Sequence, residues 1–444
     1  MNIVSSSLFE QAASGHKTGL LTVLDMGSSK ISCLIARLVP LHKTLHLPWR
    51  THKVEVLGFA ARQSRGIRAG LVVDIAAAEQ VVRKVIDAAE RMAGLMVKSI
   101  IVNFSGRHMK SERLEAKIAL NEERVELADI RRVIAAACAA RRAVKRPIIH
   151  AVPLAFSLDE DRGLEDPRNM AGIQLGVDMH CLAIDAGTAR NLEHCLNRAY
   201  LKVEALVATP YAAALSTLLR EETIFGATCV DFGGGTTSFA IFRKGKFVHA
   251  DSLPVGGQHI TADIAQGLAI SVEEAERLKI MHGSVADYAC GDDSYIAVNA
   301  PAYAGTRRFG RKELTKIIRA RVEEIGEMVR DHCARAGFRP VAGQRLVLTG
   351  GASQLAGLPD IMHMICRVKP RIGRPLGISG LPVEARSGAY AALAGLSVYP
   401  QSLGFSEQEF NLSGAEYEPG KKLKKAGQRF LQSVNGYVKV FKGF

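Results

Sequence analysis

Two short polar segments of the sequence could bind phosphate groups. The first contains Asp25, Gly27, Ser28, Ser29 and Lys30. The second contains Asp231, Gly233, Gly234, Gly235, Thr236 and Thr237. Glycines let backbone N–H groups approach phosphate oxygens, and hydroxyl groups add further donors. The aspartate of each segment could hold a hydrated Mg²⁺ ion, which takes few protein ligands. The residue types therefore predict a site for a phosphorylated ligand, with Asp25 and Asp231 beside the metal.

Each polar segment lies between two predicted β-strands. Apolar and β-branched residues fill 19–24 and 31–38 around the first segment, and 227–230 and 238–242 around the second. Each segment is therefore predicted to form the turn of a hairpin. Taken alone, such a turn is common in hairpins that bind nothing. The repetition of the pattern within one chain favours the binding interpretation.

A third glycine-rich segment contains Gly350, Gly351 and Ala352. It follows a predicted strand, Arg345–Thr349, and precedes a helix predicted to start near Gln354. A glycine pair there lets the backbone approach a nucleotide at a helix N-terminus. The chain has neither a G-x-x-x-x-G-K-[ST] loop nor a G-x-G-x-x-G fingerprint, so P-loop and Rossmann sites lack their signatures.

The order of these segments resembles the actin-type ATPase superfamily. Segments 206–214 and 387–395 are rich in small residues and resemble the two segments that connect its lobes. Segment 275–283 resembles the helix of bacterial actin homologues whose Glu and Lys face the ribose and adenine, here Glu276 and Lys279. Without the resemblance, these two residues are an ordinary i, i+3 helix pair.

Within that superfamily, the chain resembles the FtsA family of bacterial cell-division proteins from about residue 22 to residue 396, and again in its tail. The local sequences 105–108, 277–283 and 348–352 carry the likeness, together with mixed predicted elements at 79–173, where FtsA proteins have an inserted subdomain. The resemblance implies that ATP and Mg²⁺ bind between two lobes. It also implies head-to-tail self-assembly into filaments, attachment to the inner membrane, and recruitment of later division proteins.

The resemblance predicts an α/β, actin-like two-lobed fold with an inserted subdomain and a C-terminal amphipathic helix. The first lobe is expected at 17–84, 173–208 and 385–399, and the inserted subdomain at 85–172. The second lobe is expected at 209–257 and 339–384, with a docking subdomain at 258–338. A linker at 400–420 and a membrane-targeting helix at 421–444 complete the chain.

The resemblance also implies a protein partner, the tubulin-like protein FtsZ, whose C-terminal peptide would dock on 258–338. That range contains a group of basic residues: Arg307, Arg308, Arg311, Lys312, Arg319 and Arg321. We select Arg307, Arg308, Arg311 and Arg321 as candidate contacts for an anionic peptide. A solvated run of charges explains the same residues equally well.

No catalytic residue is assigned from the sequence. Many bacterial actins have Glu-Pro near the first connecting segment, where the Glu orients the attacking water, whereas this chain has Thr209 and Pro210. Since no other base is evident nearby, we expect hydrolysis to be slow. ATP would then act mainly as an assembly switch.

The last residues, 421–444, form an amphipathic pattern at helical spacing. Its apolar stripe consists of Leu423, Phe430, Leu431, Val434, Tyr437, Val438, Phe441 and Phe444. Its basic residues include Lys421, Lys424, Lys425, Arg429, Lys439 and Lys442, and the segment has no Asp or Glu. Such a helix lies in an anionic membrane interface without spanning it. The alternative is a helix packed on its own domain, but the polar linker before it favours the membrane.

Composition bounds the remaining possibilities. The net charge is +14, but the tail supplies much of the excess, so no nucleic-acid partner is predicted. The eight cysteines form no C-x-x-C pair, which is typical of buried thiols in a reducing compartment. The predicted location is the cytoplasmic face of the inner membrane at the division site, as a peripheral protein. A PilM-like component of type IV pilus assembly and a small-molecule kinase of the same fold are the alternatives.

One insert, residues 40–52, interrupts the first predicted sheet and contains Trp49, the only tryptophan. It could mark a contact surface. A hydrophobic loop folded over its own strands is the simpler interpretation.

Overall fold

The computed structural model describes residues 19–41, 47–106, 109–140, 146–286, 295–300, 305–338 and 343–402. The linker beyond residue 402 and the amphipathic tail lie outside the described residues. In chain order the strands are β1 Gly19–Met26, β2 Lys30–Pro40, β3 His52–Gln63, β4 Ile67–Arg68, β5 Leu71–Val72, β6 Ser99–Phe104, β7 Lys110–Ala119, β8 Ile148–Leu158, β9 Asp161–Leu164, β10 Gln174–Ala183, β11 Lys202–Ala208, β12 Ala227–Phe232, β13 Thr237–Arg243, β14 Lys246–Leu253, β15 Tyr295–Ala300, β16 Gly305–Gly310, β17 Arg345–Thr349, β18 Pro370–Ile372 and β19 Ile378–Ser379.

The helices are also numbered in chain order. They are α1 Ile75–Ala93, α2 Leu127–Ala139, α3 Ala186–Arg198, α4 Thr209–Thr217, α5 Arg220–Phe225, α6 Gly257–Leu268, α7 Val272–His282, α8 Arg311–Arg335, α9 Leu358–Cys366 and α10 Ala391–Ser402. Shorter 3₁₀ turns occupy Gly351–Gln354, Val383–Arg386 and Gly388–Tyr390.

Two sheets with related topology form the two lobes. The first lobe has a six-stranded sheet in the order β11-β6-β1-β2-β3-β19, and the second a five-stranded sheet in the order β14-β13-β12-β17-β18. In chain order, each sheet starts with an antiparallel hairpin, which is β1–β2 in the first lobe and β12–β13 in the second. The first strand of each hairpin also pairs with a later, parallel strand: β1 pairs with β6, and β12 pairs with β17. The two predicted hairpin turns therefore occupy equivalent places in the two lobes.

A four-stranded sheet in the order β7-β10-β8-β9 forms the inserted subdomain. Helix α2 packs on it through Ile130, Val133 and Ile134, all of which are buried. Their i, i+3, i+4 spacing places them on one face of the helix, so the amphipathic pattern explains which face packs on the sheet.

Helices α4 and α10 cross where the lobes meet. Every residue of α4 is buried, and small residues line the crossing. Gly395 of α10 lies against the backbone of Ala212, because a Cβ at Gly395 would overlap the carbonyl group of Ala212. The backbones can approach this closely only because the side chains are small.

Two local expectations differ from the structure. The helix expected near Gln354 is a short 3₁₀ turn, and the α-helix α9 begins only at Leu358. Gly357, at φ +82°, breaks the backbone between them. The second difference concerns Trp49, whose ring lies 5.4 Å from the ring of Phe242 in the second lobe. The insert therefore contacts β13 of the other lobe as well as its own strands.

Candidate functional site

The turns of the two equivalent hairpins contact each other across the lobes. A Cβ at Gly235 would lie 2.5 Å from the hydroxyl oxygen of Ser28, and a Cβ at Gly234 would overlap the hydroxyl of Ser29. Any side chain at either glycine would displace the opposing serine. The sequence therefore brings glycine backbone against serine hydroxyls, which is a donor-rich surface.

The two turns also have the same internal geometry. Gly27 N–H donates to the carbonyl of Lys30 over 3.0 Å, and Gly233 N–H donates to that of Thr236 over 2.9 Å. The aspartate precedes the turn in each case, at register positions paired with Ser32 and Ser238. Thr236 and Thr237 are buried beside the second turn.

The third glycine segment closes around the second aspartate. Gly350 has φ +89°, and a Cβ there would overlap Oδ1 of Asp231. Its N–H donates to the carbonyl of Gly388 over 3.1 Å, which links it to the second connecting segment. Gly351 and Ala352 follow in the 3₁₀ turn, with Ala352 beside Gly257. Only glycine fits at position 350, because of the positive φ and because a Cβ would overlap Asp231.

Electrostatics single out the two aspartates. Asp25 is 7% exposed and Asp231 is 9% exposed. Burial raises the pKa of Asp25 to about 6, and burial together with the Asp25 charge raises the pKa of Asp231 to about 7. Two buried carboxylates near each other disfavour their charged forms unless a cation joins them. Their oxygen atoms are the ligand type that Mg²⁺ prefers, so the donor set fits a hydrated Mg²⁺ ion.

Lys30 lies near these carboxylates, but its side chain contacts the second connecting segment, residues 387–395. Its Nζ donates to the carbonyl of Ala389 over 2.7 Å and lies 4.2 Å from the centre of the Tyr390 ring. Burial lowers its pKa, while the charges of Asp25 and Asp231 raise it. Lys30 therefore connects the first turn to the second connecting segment.

Glu276 and Lys279 lie beside the second turn. Lys279 Nζ donates to the Gly257 carbonyl over 2.9 Å, and to Thr261 Oγ1 and Glu276 Oε2 over 2.7 Å each. These bonds engage all three of its hydrogens. Glu276 keeps 44% of its side chain exposed. Of the pair, Glu276 has the freer side chain for a ligand.

Sequence reasoning missed two polar residues at this site. Asn103, at the end of β6, donates to Asp25 Oδ1 over 2.7 Å. Gln258 of α6 donates from Nε2 to the Ser28 carbonyl over 3.0 Å, bridging the lobes. The signal for Asn103 was an amide within the apolar strand Ser99–Phe104. Gln258 gave no such signal, because its role depends on how the lobes meet.

A cavity of about 80 Å³ lies away from the hairpin turns. Its lining includes Ala227, Arg345, Cys333 and Cys366. Ala227 and Arg345 begin β12 and β17, whereas the candidate site follows the ends of those strands. The cavity is therefore at the opposite edge of the sheet and unrelated to the turns.

The basic residues predicted to bind a partner have different surroundings. Arg308 is exposed on β16, and Arg311 begins α8. Arg321 is bound within the protein, with Nε 2.6 Å from Asp263 Oδ2 and a second nitrogen 2.9 Å from Oδ1. Arg307 lies in β16. Among Arg308, Arg311 and Arg321, Arg308 is the best placed to meet an external anion.

The predicted membrane-binding residues, from Leu423 to Lys442, lie outside the described residues. Within the described ranges from 19 to 402, no helix is long and apolar enough to cross a bilayer.

Comparison with known proteins identifies the family. A family model described as cell division protein FtsA matches residues 228–395, and one described as an SHS2 domain inserted in FTSA matches residues 106–183. The chain is 44% identical over 393 residues to the cell division protein FtsA of Agrobacterium fabrum, covering 87% of this chain and 88% of that protein. This chain belongs to the FtsA family. The FtsA of Pseudomonas aeruginosa is 28% identical over 424 residues, covering 96% and 99%.

The family assignment confirms the resemblance found in the sequence. The structure of a PilM-PilN type IV pilus biogenesis complex matches this FtsA-family chain with a TM-score of 0.60 at 17% identity, covering 86% of this chain and 99% of that one. A likeness at that identity concerns the fold alone. The α/β, actin-like fold with an inserted subdomain is confirmed for the described residues, and the chain is a cell-division protein by homology.

Proposed function

We propose that this FtsA-family protein binds Mg²⁺-ATP between its lobes, assembles head to tail, and attaches the FtsZ ring to the inner membrane through its C-terminal helix. At the division site it would also recruit later division proteins. One observation carries the nucleotide part: the two acidic hairpins meet, with Ser28 and Gly235 in contact beside buried Asp25 and Asp231.

Each loop has a distinct part in nucleotide binding. Backbone N–H groups and hydroxyls of Ser28, Ser29, Thr236 and Thr237 would bind the phosphates, and Asp25 and Asp231 would hold Mg²⁺ through water. Glu276 would meet the ribose, and Gly350 and Gly351 would let the backbone approach the nucleotide. When bound, Mg²⁺ neutralises phosphate charge and the buried carboxylates together. Saturable, Mg²⁺-dependent binding of a fluorescent ATP analogue tests this assignment.

ATP binding would regulate assembly of the protein, and ATP hydrolysis would be slow. Thr209 occupies the place of the water-orienting Glu of many bacterial actins, and a hydroxyl is a poor base at neutral pH. Thr209 is buried and donates to the carbonyl of Phe104 over 3.0 Å. Slow hydrolysis would keep ATP bound long enough to stabilise a filament.

The tail is predicted to attach the protein to anionic vesicles. Full-length protein should sediment with vesicles containing phosphatidylglycerol, because each basic residue near the surface contributes about 1 kcal/mol and the apolar stripe enters the acyl boundary. Deletion of residues 421–444, or Phe430→Glu, should leave the protein in the supernatant. Sedimentation in the presence and absence of vesicles measures the difference.

Phe430→Leu is the matched control, because it keeps an apolar side chain at the same position and should still sediment. Equal sedimentation of the deletion variant and the full-length protein would contradict the tether.

The docking of an FtsZ C-terminal peptide is predicted to depend on Arg308. Arg308→Glu should weaken peptide binding roughly fivefold to tenfold, since the change replaces an attraction at an exposed site with a repulsion. Fluorescence anisotropy with a labelled peptide measures the affinity.

Arg335→Glu makes the same charge change at an exposed position in the last turn of α8, far along the helix from Arg311. It should bind the peptide as the parent protein does. If Arg308→Glu also binds the peptide with the affinity of the parent protein, Arg308 is only part of a solvated surface.

A further inference from the structure

We propose that Asn103 is a positioning residue, which orients the Asp25 carboxylate for the magnesium–nucleotide site. The inference rests on the proposed function and adds to it a residue that does not itself touch the ligand. It starts from an unusual placement, because Asn103 is 2% exposed at the end of a strand whose other members are mostly apolar.

The orientation of the Asn103 amide is fixed by its neighbours. Met26 N–H donates to Asn103 Oδ1 over 2.7 Å, so the oxygen must face the backbone of β1. The NH₂ group then faces the other way and donates to Asp25 Oδ1 over 2.7 Å and to Thr209 Oγ1 over 3.0 Å. Both hydrogens and the acceptor are thereby engaged. A flipped amide would place two donors against each other.

Hydroxyl groups keep the second amide hydrogen in place. The Thr209 hydroxyl lies 3.0 Å from the Phe104 carbonyl, which can accept its hydrogen. The hydroxyls of Ser105 and Thr209 lie 2.6 Å apart, and either of them can be the donor. In either arrangement Thr209 Oγ1 keeps a lone pair that accepts from the Asn103 amide.

The fixed Asn103 amide makes the two carboxylate oxygens of Asp25 different from each other. One carboxylate oxygen, Oδ1, accepts from Asn103, while Oδ2 has no hydrogen-bond partner among the described residues. A bond from a buried donor to a charged acceptor is stronger than a neutral one, and here water is largely excluded. Asn103 thus fixes the rotation of the carboxylate and leaves Oδ2 for a magnesium-bound water. Loss of a residue that orients a metal-binding group typically costs about tenfold to a hundredfold in metal affinity.

The test separates metal-dependent from metal-independent binding. Full-length protein is titrated with a fluorescent ATP analogue, once with Mg²⁺ and once with EDTA. Asn103→Ala should lose at least about tenfold in affinity with Mg²⁺, as expected for one hydrogen bond to a charged group. With EDTA its affinity should stay within about twofold of the parent, because Asp25 matters only through the metal. A residue that merely supported the fold would weaken both titrations equally.

Further variants keep the test decisive if Asn103→Ala does not fold. Thr209→Val keeps the volume of the side chain but removes the acceptor of the second amide hydrogen, so it should give a smaller loss, again only with Mg²⁺. Ser32→Ala is the control: this hydroxyl is buried opposite Asp25 in the β1–β2 register and has no hydrogen-bond partner among the described residues. It should bind as the parent does in both titrations.

The outcomes distinguish the inference from the proposed function. If the parent protein shows no Mg²⁺-dependent binding, the proposed function itself fails. If the parent binds with Mg²⁺ but Asn103→Ala and Thr209→Val bind equally well, the positioning role is overturned alone. Equal losses with Mg²⁺ and with EDTA also overturn it.

Discussion

Replacement of Asp231 by Ala is expected to weaken binding of Mg²⁺-ATP by roughly a hundredfold, the upper range for the loss of a group that orients a metal. Asp231 is the second-last residue of β12 in the second lobe and is one of the two buried carboxylates at the hairpin turns. Without it, only Asp25 remains to hold the hydrated ion. Fluorescence titration with an ATP analogue in the presence of Mg²⁺ measures the loss.

The variant should still fold. Burial raises the pKa of Asp231, which means that its charged form is disfavoured in the folded, ligand-free protein. Removing the carboxylate therefore deletes an unfavourable charge. Asp231→Asn, which keeps the shape, should bind as weakly as Asp231→Ala. Asp360→Ala removes an exposed carboxylate from the first turn of α9 in the same lobe and should bind normally. Unchanged affinity in both Asp231 variants would place the site elsewhere.

Gly395→Ala is expected to destabilise the protein by about 3 kcal/mol or more, because it forces a methyl group into a packed backbone. The new Cβ would lie 3.1 Å from the Cα of Ala212 and would overlap its carbonyl group. Both partners are helix backbone at the crossing of α4 and α10, so no flexible side chain can move aside. The midpoint of urea unfolding measures the change.

Gly310→Ala is the matched control for Gly395. Nothing lies within 4 Å of a Cβ built at Gly310, and its φ of −67° suits any residue. Since it precedes α8 as the N-cap, the exchange should cost less than about 1 kcal/mol. Equal unfolding midpoints for the two variants would mean that the lobes are not joined by the close crossing described above.

The sequence was sufficient for the parts that depend on local residue types. Glycines, hydroxyls and aspartates between apolar strands predicted both hairpin turns, because turn chemistry and strand periodicity are local properties. Gly350 was recognised for the same reason. The sequence could not predict that a 3₁₀ turn follows Gly350 and that the α-helix starts only at Leu358. A glycine indicates a break in the backbone but does not specify the type of helix that follows.

Contacts between distant segments were beyond the sequence pattern. Asn103 reaches Asp25 across 78 positions, and Trp49 reaches Phe242 in the other lobe. Arg321 was predicted to face a partner, yet the structure pairs it with Asp263. Each of these outcomes depends on which strands become neighbours, and a single sequence does not encode that in its local composition.

A crystal structure with a non-hydrolysable ATP analogue and Mg²⁺ tests the central claim most directly. The account predicts phosphate density beside the two hairpin turns, within reach of Ser28, Ser29, Thr236 and Thr237, with a hydrated ion beside Asp25 and Asp231. Nucleotide density at another place in the protein, or no density at the turns at saturating ligand, would contradict it.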